Sequence, residues 1–208
     1  MGYKYYMTKQ GELSLRYIAL YVACFAAILL VFYIVPSGFV EALTAQTSSW
    51  ALAIFGHSTS WVQQGGETIL TLIGQRVVTV TIIRECTALN VLGVMAGLIL
   101  PLRASWVKRI SGVALSGALL FILNIPRIAL TLYLTAYDTW PFTLLAGRSL
   151  ETYHYPISFA FGVVGVAVTV LIVAKYTTPE LEETLLGLVD KTAELAKTVI
   201  GRTSRGSS

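Results

Sequence analysis

Long apolar runs, separated by short polar segments, dominate the pattern of hydrophobic and polar positions along the chain. A helix that crosses a membrane needs about 20 predominantly apolar residues, because it rises ~1.5 Å per residue through a hydrocarbon core ~30 Å thick. Four runs approach or exceed this length, at residues 17–35, 87–102, 110–137 and 155–174. The pattern therefore predicts an all-α integral membrane protein with four transmembrane helices in one membrane domain, residues 17–174.

The segment between the first two runs is less hydrophobic than the rest of this domain. Residues 39–55 have a partly amphipathic helical pattern, and Trp50 and Trp61 lie within or near them. Tryptophan is enriched where a membrane meets water. We therefore expect a short interfacial helix here.

A second pattern in the same segment is typical of β-structure. Residues 68–73 and 76–83 alternate in character, are rich in β-branched side chains, and flank the pair Gly74-Gln75. Alternation on both sides of a glycine-containing turn predicts a β-hairpin. This hairpin leads the chain directly to Cys86.

The two ends of the chain are polar. Residues 1–16 are predicted to form a short cytoplasmic segment, and residues 175–208 a cytoplasmic tail that is amphipathic and then disordered. Within the tail, apolar residues at Leu181, Leu185, Leu188 and Val189 are interspersed with charged ones. This spacing fits an amphipathic helix on the membrane surface, and it fits a solvated helix almost as well.

The composition agrees with a membrane protein and excludes two other classes. Hydrophobic residues make up 55% of the chain and charged residues 12%, whereas a soluble domain has about 25% charged residues. The net charge of +4 is not gathered on one basic face, so a nucleic-acid partner is not expected.

The positive charges instead predict the orientation in the membrane. Lysine and arginine favour the cytoplasmic side, and they concentrate at the start, in residues 103–109 and after residue 174. Residues 36–86 and 138–154, which alternate with these segments, then face the exterior. Both termini are predicted to be cytoplasmic, with Cys86 and His154 on the extracytoplasmic side.

The chain contains two cysteines, which do not make a disulfide framework. Cys24 lies inside the first apolar run, where it is expected to act as a small apolar residue. No small-residue cleavage site follows that run, so we expect it to be retained as a span rather than removed as a signal peptide. Cys86 lies in a different setting, at the start of the second run.

Three chemically active residues are predicted to meet at one level of the membrane. Arg127 is a charge inside a predicted span. Inserting such a charge into a membrane costs ~2.5–3.5 kcal/mol on insertion scales, and charged residues kept there usually have a function. Counted from Ile110 at ~1.5 Å per residue, Arg127 lies ~25 Å along its helix, near the outer boundary. Cys86 begins the second span and His154 the fourth at that same boundary.

The three side chains suit acyl transfer through a thioester. A cysteine acts as a nucleophile in its thiolate form, which a neighbouring cation favours. A histidine within reach can take and return a proton, and the donors of an arginine can hold a developing oxyanion.

Each of the three also has an ordinary structural explanation. Arg127 could be an arginine that extends from a helix end toward water. His154 could be an interfacial histidine, and Cys86 a small packing residue. The hypothesis depends on the coincidence of the three.

Two further residues are candidate supporting groups. Glu85 is either a solvated residue beside the span or an orienting partner for Arg84 or His154. Asn124 precedes Arg127 by three residues on the same helical face. It could hydrogen-bond the guanidinium or only mediate helix packing.

Three strings carry a resemblance to a known family. ECTAL at Glu85–Leu89, NIPR at Asn124–Arg127 and HYPISFAFG at His154–Gly162 resemble the signature blocks of the archaeosortase/exosortase family in order, spacing and position at span boundaries. The similarity covers residues 67–174. It implies a membrane cysteine transpeptidase that acts on client proteins with a C-terminal signal, made of a short motif, a hydrophobic helix and a basic end.

The resemblance also implies roles for individual residues. Cys86 would be the nucleophile that forms an acyl-enzyme, Arg127 would stabilise the intermediate or help the proton leave, and His154 would match the family's third position. Thr87 and Ala88 stand where many members have Ser and Gly, which leaves the subfamily and the client motif open.

The leading hypothesis from the sequence is a membrane cysteine protease and transpeptidase that removes C-terminal sorting signals and transfers the client to an acceptor such as a membrane lipid. A small transporter with Arg127 in its pathway and a non-catalytic membrane assembly factor are the alternatives. No cofactor is implied, and no metal site either, since His57 and His154 lack partners at ligand spacing.

Overall fold

The computed structural model describes residues 15–137, 150–190 and 193. Its elements in chain order are α1 (Leu15–Ile34), α2 (Gly38–Ile54), β1 (Ser58–Gln64), β2 (Glu67–Ile73), β3 (Val77–Ile82), a 3₁₀ turn (Arg84–Cys86), α3 (Leu89–Ile99), α4 (Trp106–Tyr137) and α5 (Leu150–Tyr176). Residues 180–190 form a further helical stretch. Most of the predicted N-terminal segment, most of the loop at 138–153 and most of the tail beyond 190 lie outside the described residues.

Three of these helices, α1, α4 and α5, are long and apolar enough to cross a membrane. The protein is therefore mostly helical and membrane-embedded, as its sequence predicts. Apolar side chains that point away from the protein support this reading, among them Leu20, Ile34 and Leu171, which are each more than half exposed.

The predicted second span differs from the structure. Within residues 87–102 only the 11 residues of α3 are helical, which gives a length of ~17 Å against a hydrocarbon core of ~30 Å. The described helices thus supply three full-length spans where the sequence predicts four. The apolar run includes residues that turn at both ends of α3, and a hydropathy pattern does not distinguish an apolar turn from a helix.

The helices α4 and α5 also extend beyond their predicted limits. α4 has 32 residues and begins at Trp106, four residues before the predicted start. α5 begins at Leu150, so His154 lies in its second turn and does not open the span. Residues 150–154, which the sequence pattern places in the external segment before the fourth span, are helical.

Close packing of α1 against α3 depends on two glycines spaced by four residues. A Cβ added to Gly93 would lie 2.9 Å from the Phe32 Cβ, and one added to Gly97 would lie 2.7 Å from the Phe25 ring. Small residues at this spacing let two membrane helices approach closely. The short α3 is thereby held against a full-length span.

A three-stranded antiparallel sheet connects α2 to the 3₁₀ turn, with strand order β1-β2-β3. β2 and β3 pair around residues 74–76, where the sequence predicts a hairpin. β1 was not predicted, because its sequence STSWVQQ is polar and largely exposed. The signal for it is Gly65-Gly66, whose φ values of 62° and 87° are those of a two-residue hairpin turn.

One face of the sheet packs on α2 and α4. Leu70 and Leu72 of β2 are fully buried there against α2 and against Leu132 of α4. Burying each such side chain contributes ~1.5–3 kcal/mol. This core fixes the end of β3, and with it the 3₁₀ turn, against the middle of α4.

The segment after α5 packs back on the membrane domain. Leu181 is fully buried in a cluster with Leu102 and Val173, and the Lys108 Nζ lies 2.6 Å from a Glu180 carboxylate oxygen. Leu185 and Leu188 pack against the same cluster. The first part of the tail is thus anchored to the α3–α4 connection.

Candidate active site

The turn that carries Cys86 is tightly hydrogen-bonded. The Cys86 N–H donates to the Ile83 carbonyl at 2.8 Å, and the Thr87 N–H donates to the Arg84 carbonyl at 3.0 Å. The Thr87 hydroxyl donates to that same carbonyl at 2.7 Å and accepts from the Leu89 N–H at 3.2 Å. Threonine therefore satisfies a free amide at the start of α3, and the half-buried, unpaired Cys86 thiol lies on a well-defined backbone.

Asn124 joins this turn to Arg127. Its Nδ2 donates to the Cys86 carbonyl oxygen at 2.8 Å, and its Oδ1 accepts from the Arg127 guanidinium at 3.0 Å. Asn124 is buried at 6% exposure, where an unpaired amide would be costly. The sequence left open whether Asn124 hydrogen-bonds the guanidinium or only mediates helix packing. The structure contains the hydrogen bond to the guanidinium, and it also contains a bond to Cys86 that the sequence does not predict.

Cys86, Arg127 and His154 all line one cavity of about 170 Å³. Its walls come from the end of β3, from the 3₁₀ turn, from α4 and from the first two turns of α5; the residues are Val80, Thr81, Ile82, Cys86, Arg127, Ile128, Thr131, Leu132, Leu150, Glu151, His154 and Tyr155. Arg127 lies close enough to interact electrostatically with Cys86 and with His154. Residues from three distant parts of the sequence are thus brought together around one space.

A second, smaller cavity of about 50 Å³ lies on another side of Arg127. Its lining from α3, α4 and α5 is mostly apolar and includes Val91, Leu120 and Phe161. Arg127 therefore lines both cavities, and Asn124 lines the smaller one.

Glu85 is not part of the cavity. Its side chain is exposed and makes no hydrogen bond or ion pair with any residue that the structure describes. The idea that it orients Arg84 or His154 has no support from the geometry. The solvated-residue interpretation fits better.

Arg84 has a larger structural role than the sequence suggests. Its guanidinium donates to the Val35 carbonyl at 2.8 Å, to the Phe32 carbonyl, and from Nε to the Asn90 side chain at 3.0 Å. The ring of Tyr33 lies 5.9 Å away. Carbonyls at the end of a helix lack intrahelical partners and carry partial negative charge, so Arg84 ties the Cys86 turn to the end of α1.

Among the cavity residues that the sequence pattern does not identify are Glu151 and Thr131. Glu151 precedes His154 by three residues on α5, and Thr131 follows Arg127 by one turn on α4 and donates to its carbonyl at 2.8 Å. The sequence pattern does not identify Glu151 because it precedes the predicted start of the fourth span. Its helical spacing to His154 is the signal that could have identified it.

His57 lies between α2 and β1, away from the residues that line the cavity. Its Nδ1 is 3.0 Å from the Tyr137 hydroxyl, and its ring packs against Tyr133 and Tyr137 with centroids 5.2 and 5.1 Å apart. This aromatic cluster links the start of the sheet to the end of α4.

Comparison with known proteins gives one family match. The model described as transmembrane exosortase (Exosortase_EpsH) matches residues 5–144, more than half of the chain. The match includes α1, α2 and β1, which lie outside the motif resemblance, and it contains Cys86 and Arg127. It ends before α5 and His154. No curated protein was found to match, and no solved structure either.

Proposed function

This chain belongs to the transmembrane exosortase family, whose members are membrane transpeptidases for sorting signals, and we propose that it cleaves the C-terminal sorting signals of exported proteins through an acyl-thioester on Cys86. The observation that carries the proposal is the shared cavity of Cys86, Arg127 and His154. A thiol, a cation and an imidazole around one space are the groups that acyl transfer by a cysteine enzyme requires.

In the first step the Cys86 thiolate attacks the carbonyl carbon of the scissile peptide. A C–S bond forms, and the carbonyl oxygen becomes an oxyanion that the Arg127 guanidinium stabilises by hydrogen bonding. His154, which has taken the proton of the thiol, gives it to the leaving nitrogen as the C–N bond breaks. The client remains attached as a thioester, and its C-terminal helix leaves as an amine.

In the second step an acceptor replaces the enzyme. His154 takes a proton from the acceptor hydroxyl, the acceptor oxygen attacks the thioester carbonyl, and the C–S bond breaks to restore the thiolate. A membrane lipid is the acceptor we propose, and water in its place would give simple hydrolysis.

Asn124 has a positioning role in this mechanism. It binds the main chain of Cys86 and the guanidinium of Arg127 at the same time, so it fixes the distance between nucleophile and oxyanion stabiliser. Such preorganisation matters because displacements of ~1 Å can cost ~10²-fold in rate.

We place the site on the extracytoplasmic side of the cell membrane and both termini in the cytoplasm. Because α1, α4 and α5 alone would leave the termini on opposite sides, this requires residues 87–103 to cross as well. That segment runs beside α1, from Arg84 at the Val35 carbonyl to Arg103 over the Tyr17 ring. The lysine and arginine bias supports this orientation. The client is an exported protein whose hydrophobic C-terminal helix lies beside α3, α4 and α5. That position brings its scissile peptide to Cys86.

The test is client cleavage by Cys86→Ala, with Cys24→Ala as the matched control, since Cys24 lies within α1. The substrate is an exported host protein that ends in a hydrophobic helix and basic residues, and the readout is the mass of its C-terminus. We expect Cys86→Ala to lose all cleavage and Cys24→Ala to retain it. Full processing by Cys86→Ala would refute the enzyme and favour a transporter or assembly factor, in which Cys86 is dispensable.

A further inference from the structure

The sheet ends at an open edge beside the catalytic cavity. The strand order is β1-β2-β3, so among the described residues β3 has a strand partner on one side only. An edge strand presents unpaired N–H and C=O groups that can pair with another extended chain. The main-chain groups of β3 that face away from β2 are therefore open to a partner, and their identity follows from the register of the sheet.

The turn between β1 and β2 fixes which residues of each strand point their main-chain groups toward which neighbour. Two-residue hairpin turns close on a hydrogen-bonded pair, which here is Gln64 with Glu67. Hydrogen-bonding direction alternates along an antiparallel strand, so the even-numbered residues of β2 bond to β3. Their partners on β3 are Val78, Val80 and Ile82.

The main-chain groups of Thr79 and Thr81 therefore point to the open edge. No hydrogen bond within the described part of the chain reaches these outward-facing groups. Both side chains are exposed, so an approaching chain meets no bulky apolar cover there.

The open edge adjoins the cavity. Val80, Thr81 and Ile82 line it together with Cys86, and Leu150, Glu151 and Tyr155 of α5 line it on another side. Thr81 is only five residues before Cys86, and the intervening chain is the end of β3 and the 3₁₀ turn. An extended chain alongside β3, at ~3.3 Å per residue, would run past the nucleophile.

We propose that the outer edge of β3 binds the client residues next to the scissile bond as an added β-strand, through the main-chain groups of Thr79 and Thr81. This inference rests on the proposed function. The ligand is an extended peptide backbone, because a helical segment has its amides bonded internally and offers none to an edge strand. Main-chain pairing supplies affinity, and alternate client side chains point into the cavity.

The first experiment changes single donors of the edge. Thr81→Pro removes the outward N–H, and proline is tolerated where an edge N–H faces away from the sheet. Thr81→Val keeps the N–H and changes only the side chain. Gln63→Pro is the matched control, because by the same alternation Gln63 faces outward on the opposite edge, in β1.

We expect Thr81→Pro to lower kcat/KM for client cleavage about tenfold, equivalent to ~1.4 kcal/mol, mainly through KM. Gln63→Pro should stay within about twofold of the unchanged protein, and Thr81→Val should lose clearly less activity than Thr81→Pro. Thermal unfolding of each variant shows whether it is folded. Equal activity of a folded Thr81→Pro and Gln63→Pro would overturn the proposal.

The second experiment leaves the protein unchanged and alters the client. Synthetic clients carry one N-methyl group at successive positions near the scissile bond, which removes one main-chain donor at a time. Pairing with β3 predicts a loss of cleavage at every second N-methylated position. Equal losses at all positions, or no loss at any position, would overturn the proposal that the client binds as a strand. If the unchanged protein cleaves no client at all, the proposed function itself fails, and this inference with it.

Discussion

At the scale of single residues, the site is organised by two polar side chains that do not carry out the chemistry. Asn124 holds the Cys86 carbonyl and the Arg127 guanidinium together, and Arg84 ties the same turn to the last carbonyls of α1. Hydrogen bonds that involve a charged group contribute ~1.5–3 kcal/mol each. The position of the nucleophile therefore depends on Arg84, which binds α1, and on Asn124 of α4.

Replacing Arg84 should reduce activity without removing any reacting group. Arg84→Gln is expected to lower kcat at least tenfold, because the Cys86 turn loses its bonds to Phe32 and Val35. Arg84→Lys should recover part of that loss, since an ammonium can donate to one or two of these carbonyls but lacks the planar fork. The measurement is client cleavage at saturating client.

The control for this change is Arg103→Gln. Arg103 also contacts α1, where its guanidinium lies 4.0 Å from the centre of the Tyr17 ring, but it is far along the chain from Cys86. The Arg103→Gln variant should have a kcat within about twofold of that of the unchanged protein. Equal loss in the two variants would mean that Arg84 acts only as a general attachment to α1.

Sequence patterns predict the site better than they predict its surroundings. The chemistry-bearing residues stand out because a charge in an apolar run and a cysteine at its border are unusual. Arg84 and Glu151 do not stand out, since charged residues at membrane borders are common, and their roles depend on carbonyls and helix limits that only the folded chain brings near. The roles of Cys86, Arg127 and His154 remain predictions.

At the scale of elements, the short α3 is supported by close contact with α1. The glycines at 93 and 97 let the two helices approach, and any larger side chain would contact Phe32 or Phe25. The sequence shows an apolar run with two glycines but cannot show which neighbour they face. It also could not show that the helix ends at Ile99.

Gly93→Ala should therefore destabilise the protein although alanine favours helix formation. The added Cβ would meet the Phe32 Cβ at 2.9 Å, an atom next to the main chain that cannot swing away. We expect a loss of ~1–3 kcal/mol by overpacking, seen as a lower midpoint of thermal unfolding in detergent.

Gly162→Ala is the matched control. Gly162 also lies in a membrane helix, but a Cβ added there would have no atom within 4 Å. Its unfolding midpoint should be unchanged or higher. A Gly93→Ala protein as stable as Gly162→Ala would mean that the α1–α3 contact is looser than described.

At the scale of the whole molecule, packing joins parts that the sequence presents as separate. The sheet packs on α2 and α4, and the helical segment after α5 packs on the α3–α4 connection through Leu181 and the Lys108–Glu180 pair. Sequence reasoning treated that tail as a surface or solvated helix, because the partner of Leu181 lies in another part of the chain. The tail's first turns belong to the core.

The Lys108–Glu180 pair should make this attachment depend on pH. Burial is the largest single effect and raises the pKa of Glu180, but the hydrogen bond from Lys108, a backbone hydrogen bond and the charge of Lys108 together outweigh it, so the pKa lies below its ordinary value. A lowered carboxyl pKa stabilises the fold above the ordinary pKa of ~4.3, and the stabilisation disappears as pH falls through the folded-state value.

Lys108→Met tests this dependence by thermal unfolding between pH 7 and pH 3. The unchanged protein should be more stable at pH 7 by up to ~1 kcal/mol, as expected for a partly exposed pair, and the difference should vanish at low pH. Lys175→Met, which removes a lysine that contacts the Tyr176 ring, should show no such trend. A difference that persists at pH 3 would argue against the ion pair.

The central claim, a covalent intermediate on Cys86, is tested most directly by mass spectrometry of the protein itself. Purified protein is mixed with client in the absence of a lipid acceptor, quenched in acid, digested and analysed. We predict the mass of the cleaved client on the peptide that contains Cys86, its removal by hydroxylamine, and its persistence in Cys24→Ala. Normal client cleavage with no adduct on Cys86, or with an adduct on another side chain, would contradict the account.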